Sequence, residues 1–112
     1  MKPLLLKDLP KFLERFNNFE GGEFREFEIL SPTNFKITIA TQDVSRGYDW
    51  ITVSFELNSV TDAKLLDNSK LSLLDMDDGI EISNNGTTFA FKIPTSTFYV
   101  ECENIKYQEG TF

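Results

Sequence analysis

WITVSFELN, residues 50–58, alternates Ile51, Val53, Phe55 and Leu57 with Thr52, Ser54 and Glu56. A period of two puts the apolar set on one face of a pleated strand and the polar set on the other, which is the pattern of a half-buried strand. NFKITIAT (34–41) repeats it, with Phe35, Ile37 and Ile39 set against Lys36 and Thr38. So does TTFAFKIP, through Phe89, Phe91 and Ile93, and so does TFYVECENIKY, where Phe98, Val100 and Cys102 share a face before the apolar set moves to Ile105 and Tyr107. That change of phase predicts a bulge or bend near Glu103-Asn104.

Weaker strand candidates are FREFEIL (24–30), VTDAKLL (60–66), LSLL and GIEIS. The segments between strands, SPTN, DVSRG, DNS, DMDDG, NNG and PTS, are rich in residues that turn a chain. Short strands at this spacing predict an antiparallel sheet that folds over itself into a sandwich or a partial barrel. Upstream the period changes to 3.6: Leu9, Phe12, Leu13 and Phe16 line one face of a helix over about residues 8–19. Asp8 is placed to cap it, Pro10 fits its first turn, and Gly21-Gly22 stops it. The expected fold class is α+β, mainly β. One domain is expected over residues 1–112, with the strands spread over about 24–107 and the helix covering one opening or face of the sheet.

Eleven phenylalanines in 112 residues require an aromatic core, since Phe has no polar handle that would favour exposure. The single Cys102 excludes an internal disulfide and, on a strand, reads as a small buried apolar residue. MKPLLLKDLP carries too few consecutive apolar residues for a signal peptide or a membrane span, so the expected compartment is the cytoplasm.

The formal net charge is −7, a field that repels nucleic acid and anionic lipid and favours a basic partner. The charge is uneven. From Glu56 to Glu81 seven acids (Glu56, Asp62, Asp67, Asp75, Asp77, Asp78, Glu81) face two lysines (Lys64, Lys70), so this segment accounts for −5 of the −7.

DMDDG (75–79) invites a calcium reading, but the register fails: with Asp75 first and Asp77 third, Gly79 takes the fifth position and no glutamate stands at the twelfth. A turn explains the same residues, with an aspartate that bonds its own backbone and a glycine free to take positive φ. Asn85-Gly86 similarly predicts a tight hairpin. Yet a turn needs one aspartate, and the others build a local negative potential that repels itself.

The sequence has no histidine, which removes Ser-His-Asp and Cys-His catalysis and the commonest metal ligand together. One cysteine cannot hold zinc without histidine, and no phosphate-binding glycine loop is present. A paired-carboxylate hydrolase remains open from Asp and Glu alone, but the expectation is a protein that is not an enzyme and needs no cofactor or metal. The aromatic strands do not read as a nucleic-acid stacking platform, because Glu101 and Glu103 stand where a basic groove is needed.

In size, charge, strand-rich layout and the stretch YDWITVSFELNSVTDAKLL (48–66), the chain resembles the small acidic immunity proteins of bacterial toxin–immunity systems, such as those of contact-dependent growth inhibition. The resemblance implies tight, non-covalent neutralisation of a cognate toxin domain, a basic nuclease by charge complementarity. The expected contact residues are Asp62, Asp67, Asp75, Asp77, Asp78 and Glu81, with Tyr48 and Trp50 as aromatic anchors because Trp50 lies on the face of its strand opposite Ile51. For Trp50 the competing expectation is a second buried face of the sheet. For the whole chain it is a non-catalytic accessory domain of a larger assembly, acidic for solubility.

Overall fold

The computed structural model describes residues 1–65 and 74–112. Asp67 and most of the LSLL strand candidate lie outside the described residues. Among the described residues seven strands form one antiparallel sheet: β1 (Lys2–Pro3), β2 (Glu23–Ser31), β3 (Asn34–Asp43), β4 (Asp49–Lys64), β5 (Glu81–Asn84), β6 (Phe89–Lys92) and β7 (Tyr99–Thr111). The order is β2-β3-β4-β7-β6-β5, with β1 on the stretch of β7 that β6 leaves free. The fold class expected from the sequence is the one found, a mainly β architecture with one N-terminal helix, and the sheet is open.

The two period-2 segments quoted first pair with each other, Phe35 opposite Leu57, Ile37 opposite Phe55 and Ile39 opposite Val53. WITVSFELN and the VTDAK part (60–64) of the next candidate are not separate strands. They are joined in β4, whose inward-facing series steps from Leu57 to Val60 across Ser59, a non-glycine residue at φ 56°. β7 makes the same three-residue step, from Ile105 to Cys102 across the predicted Glu103-Asn104 position, and Leu57 faces Ile105 while Val60 faces Cys102. Because both strands change phase at one level, these two pairings share one register and the ribbon bends, with a one-residue register shift following between Val60 and Asp62. Bent strands of this kind carry a sheet around a corner so that its two ends face each other. Phe98, just before β7, accordingly reaches Phe24 and Phe27 of the far edge strand, with ring centroids 6.0 and 5.6 Å away.

The concave face is filled by rings. From Phe16 a chain of contacts runs through Phe12, Phe55, Phe91 and Phe98 to Phe27 at centroid distances of 5.2, 5.9, 5.4, 6.4 and 5.6 Å, mostly edge to face. This is the arrangement that a positive ring edge and a negative ring face prefer. Cys102 is fully buried at the bend, and burial pushes its thiol up to about 12, so it is inert packing.

The helix α1 (Leu9–Arg15) is shorter than its hydrophobic period suggests, flanked by 3₁₀ turns at Leu6–Asp8 and Asn17–Phe19. Asp8 occupies the N-cap position, but its side chain makes no capping bond. The helix ends ahead of the glycines because Asn17, Asn18 and Phe19 all take positive φ (50°, 55°, 62°), which drives Phe19 into the core. Gly22 is required for close approach: a Cβ there would lie 2.8 Å from the Ala40 carbonyl oxygen.

One buried charge pins the helix to the sheet. The Asp43 carboxylate, fully buried at the end of β3, accepts from Arg15 Nε (3.0 Å) and Nη2 (2.6 Å) and from the Ser45 N–H (3.0 Å) and hydroxyl (2.7 Å). Arg15 also donates to Glu109 of β7, so one guanidinium joins the helix, the β3–β4 turn and the last strand. A buried ion pair holds only when its lone pairs are satisfied in this way. Arg15 is the main reason that the Asp43 carboxyl sits at about 2, well below its ordinary range, with the Ser45 bonds adding to it against the opposing effect of burial.

A carboxylate depressed by folding stabilises above its unfolded pKa and loses that contribution as pH falls through its folded one. Stability should therefore drop between about pH 4 and pH 2, by about 2 kcal/mol for this group. In urea titrations across that range, Asp43→Asn should be less stable at neutral pH and show a flatter acid limb than the parent. An unchanged acid limb would remove Asp43 from this role.

Candidate functional site

DMDDG is a turn. Asp75 Oδ1 accepts from the Asp77 N–H (2.8 Å), the Gly79 N–H closes onto the Met76 carbonyl (2.9 Å), and Gly79 takes φ 66°. Met76 does not belong to the acidic surface at all; it is buried and plugs the turn into the core. The turn is then latched to the corner that follows the helix. The Gly21 N–H donates to the Met76 carbonyl (2.8 Å), and the Ile80 N–H donates to the Asn18 carbonyl (2.9 Å). From the other side, the Thr95 hydroxyl donates to the Asp75 carbonyl.

This latch presents Asp77, Asp78 and Glu81 to solvent, with Asp75 exposed but occupied in the turn. Among the described residues none of these four forms an ion pair, whereas Arg15, Arg25 and Arg46 are all paired elsewhere. Asp78 and Glu81 line a hollow of about 440 Å³ with Glu20, over a floor that includes Leu13 and Ile80. Glu20 had no signal in the sequence: it sits between the helix and the glycines, and only the left-handed corner at Asn17–Phe19 brings it beside a turn nearly sixty residues away.

Asp62 stands on β4 directly opposite Glu101 of β7, so two carboxylates are cross-strand neighbours. Glu101 accepts from the Tyr99 hydroxyl, the main cause of a Tyr99 pKa pushed up to about 12. The same end of the molecule holds Lys64 and Lys92, which share a hollow of about 530 Å³ with Glu81. Asp62 is therefore set apart from Glu81 of β5 by β7 and β6, on a mixed surface rather than a purely acidic one.

Tyr48 and Trp50 are not part of this assembly, since Tyr48 just precedes β4 and Trp50 lies in its first residues, whereas Asp62 and Lys64 close it. Tyr48, at φ 68°, is 60% exposed. Trp50 packs against Phe112 at 5.4 Å on the outer face, and the guanidinium of Arg25, reaching from β2, lies 4.6 Å from the centre of the Phe112 ring. Trp50 is thus half of a small aromatic lid, still 39% exposed, which falls between the two readings of it as an anchor and as a buried second face.

A metal reading gains nothing from the geometry. The Asp75 carboxylate already serves as acceptor for the turn, and among the described residues no three carboxylates or thiols stand close enough together to hold an ion. Nor, among those residues, is any helix long and apolar enough to cross a membrane.

Two tests follow from the latch. Adding a Cβ at Gly79 would place it 1.9 Å from the Asn18 carbonyl oxygen, while Gly86, also at positive φ, has open space around it. Gly79→Ala should cost about 2 kcal/mol or more in denaturant titrations, and Gly86→Ala no more than about 1 kcal/mol. Equal losses would mean that the turn does not bear on the corner. In thermal melts, millimolar calcium or EDTA should leave the midpoint unchanged, because a specific site would raise it by mass action. A shift of several degrees would restore the metal reading. Set beside known proteins, the chain matches no family model, no curated protein and no solved structure.

Proposed function

We propose that the chain is a non-catalytic inhibitor of the immunity-protein kind, which binds a basic protein domain, of the sort a nuclease toxin presents, and neutralises it by covering its active surface. The observation that carries this reading is the latched tip: Asp77, Asp78 and Glu81 are exposed and, among the described residues, without ion-pair partners, on a backbone fixed from two sides. Like charges held together repel, and a fold that needs only a turn there has no use for the surplus. A basic partner offsets that repulsion. Because the loop is already ordered, association loses little conformational entropy at the contact. The charge also attracts a cationic surface from a distance and speeds encounter.

Glu20 joins the proposed contact through the hollow it shares with Asp78 and Glu81, whereas Asp62, on β4, is set apart from β5 by β7 and β6. Tyr48 and Trp50, at the far end of β4, fall outside a footprint centred on the tip. The cytoplasm is the compartment in which such an inhibitor would meet its toxin.

Surface plasmon resonance against a basic nuclease-toxin domain, sought first in the neighbouring reading frame, tests the proposal. The variant is Asp77→Lys, Asp78→Lys and Glu81→Lys together; Asp75 is kept because its carboxylate caps the Asp77 N–H. Circular dichroism should match the parent, while association should slow by about tenfold or more and lose much of its salt dependence. Parent-like association at low salt would leave the tip as a solvated turn, and an accessory domain would become the better description.

A further inference from the structure

The outer face of the sheet carries a ladder of alternating charge. At one register level Glu28 of β2 lies opposite Lys36 of β3, Lys36 opposite Glu56 of β4, and Glu56 opposite Lys106 of β7. Opposite charges on neighbouring strands stabilise pairing, and like charges in the same positions oppose it. The next level is neutral in its interior, with Thr38 and Ser54 bonded to each other at 3.1 Å beside Gln108, and it ends on Glu26 of β2. Both levels therefore terminate at the edge on a glutamate.

β2 is also open. Among the described residues no strand pairs with its outer edge. Between its two register shifts, Glu26 to Ile29 pair regularly with β3, so the backbone is straight enough there to receive another strand. Towards the inner face the edge offers Phe27 and then Ile29, which is 57% exposed. The rim thus reads acid, apolar, acid, apolar in the same stretch.

We infer that β2 is an acceptor edge for an extended segment of a protein partner in which Lys or Arg alternates with apolar residues. The cations continue the ladder opposite Glu26 and Glu28, and the apolar residues cover Phe27 and Ile29. Strand addition of this kind takes its affinity from main-chain hydrogen bonds and its selectivity from alternate side chains. A second copy of the chain is a poor occupant: antiparallel self-pairing about Phe27 sets Glu26 of each copy against Glu28 of the other. The inference deepens the reading of the chain as an inhibitor of a basic partner, and rests on it for the partner's charge.

The probe is a cyclic β-hairpin peptide whose outward strand alternates Lys and Val, with two companions, one with Glu in place of Lys and one N-methylated along that outward edge. Cyclisation supplies a preformed strand, which limits the ordering cost of a weak site. With the full chain, backbone NMR should show shifts confined to Glu23–Ser31 and amide exchange at Glu26–Ile29 slowed by about tenfold. The Lys hairpin should bind about tenfold tighter than the Glu hairpin. N-methylation should abolish binding, because it removes the donors that strand pairing needs. The Glu26→Lys/Glu28→Lys variant should reverse the charge preference. Absence of binding, shifts elsewhere than β2, or equal affinity of the N-methylated peptide would overturn the inference. Shifts at Asp77, Asp78 and Glu81 alone would overturn it while leaving the inhibitor reading in place. Loss of the cognate domain's binding on β2 reversal but not on tip reversal would support the edge against the tip.

Discussion

Everything in this molecule depends on two strands bending at the same level. If only β4 stepped by three residues at Ser59, its inward apolar set would face solvent beyond the step and its pairing with β7 would slip. Because β7 makes the matching step between Ile105 and Cys102, the pairing of Leu57 with Ile105 and of Val60 with Cys102 is kept on either side. The bend turns a sheet too small to form two layers into a trough, with Phe55 below, Phe91 and Phe98 above, and Phe12, Phe16 and Phe19 inserted from the helix and its corner. Without the bend these rings would lack partners on one side, and dispersion contacts are lost wherever one wall of a core is missing.

The strands were legible because a half-buried strand writes its period directly into the sequence. Their limits were less so. Ser59 resembles a break, and only the register with β7 shows that the chain passes through it as one strand. Leu9, Phe12 and Phe16 predicted the helix correctly, but its early end depends on three consecutive left-handed residues, a conformation that Asn favours and Phe does not, set by the buried position of Phe19. The Arg15–Asp43 pair, separated by 28 residues, left no local trace in the sequence.

At the tip the sequence disclosed turn chemistry, because Asp-x-Asp and the glycine act on their immediate neighbours. It did not disclose Glu20, the burial of Met76, or the separation of Trp50 from the acids, all of which are properties of the folded trough. The acidity also proves to be unevenly used. Asp43 and Glu109 are bound to arginine, Glu26 and Glu28 end cross-strand rows, and Asp77, Asp78 and Glu81 remain exposed. Net charge alone could not separate these three populations.

Cys102 gives the bend a consequence of another kind. Its thiol is sealed between β4 and β6, and burial keeps it protonated far above neutral pH, so a thiol reagent has no route to it while the trough is closed. It lies at the step on which the two halves of the sheet turn. Modification of this sulfur would therefore register the moments at which the halves part, making the protein's own cysteine a clock for the opening of its fold.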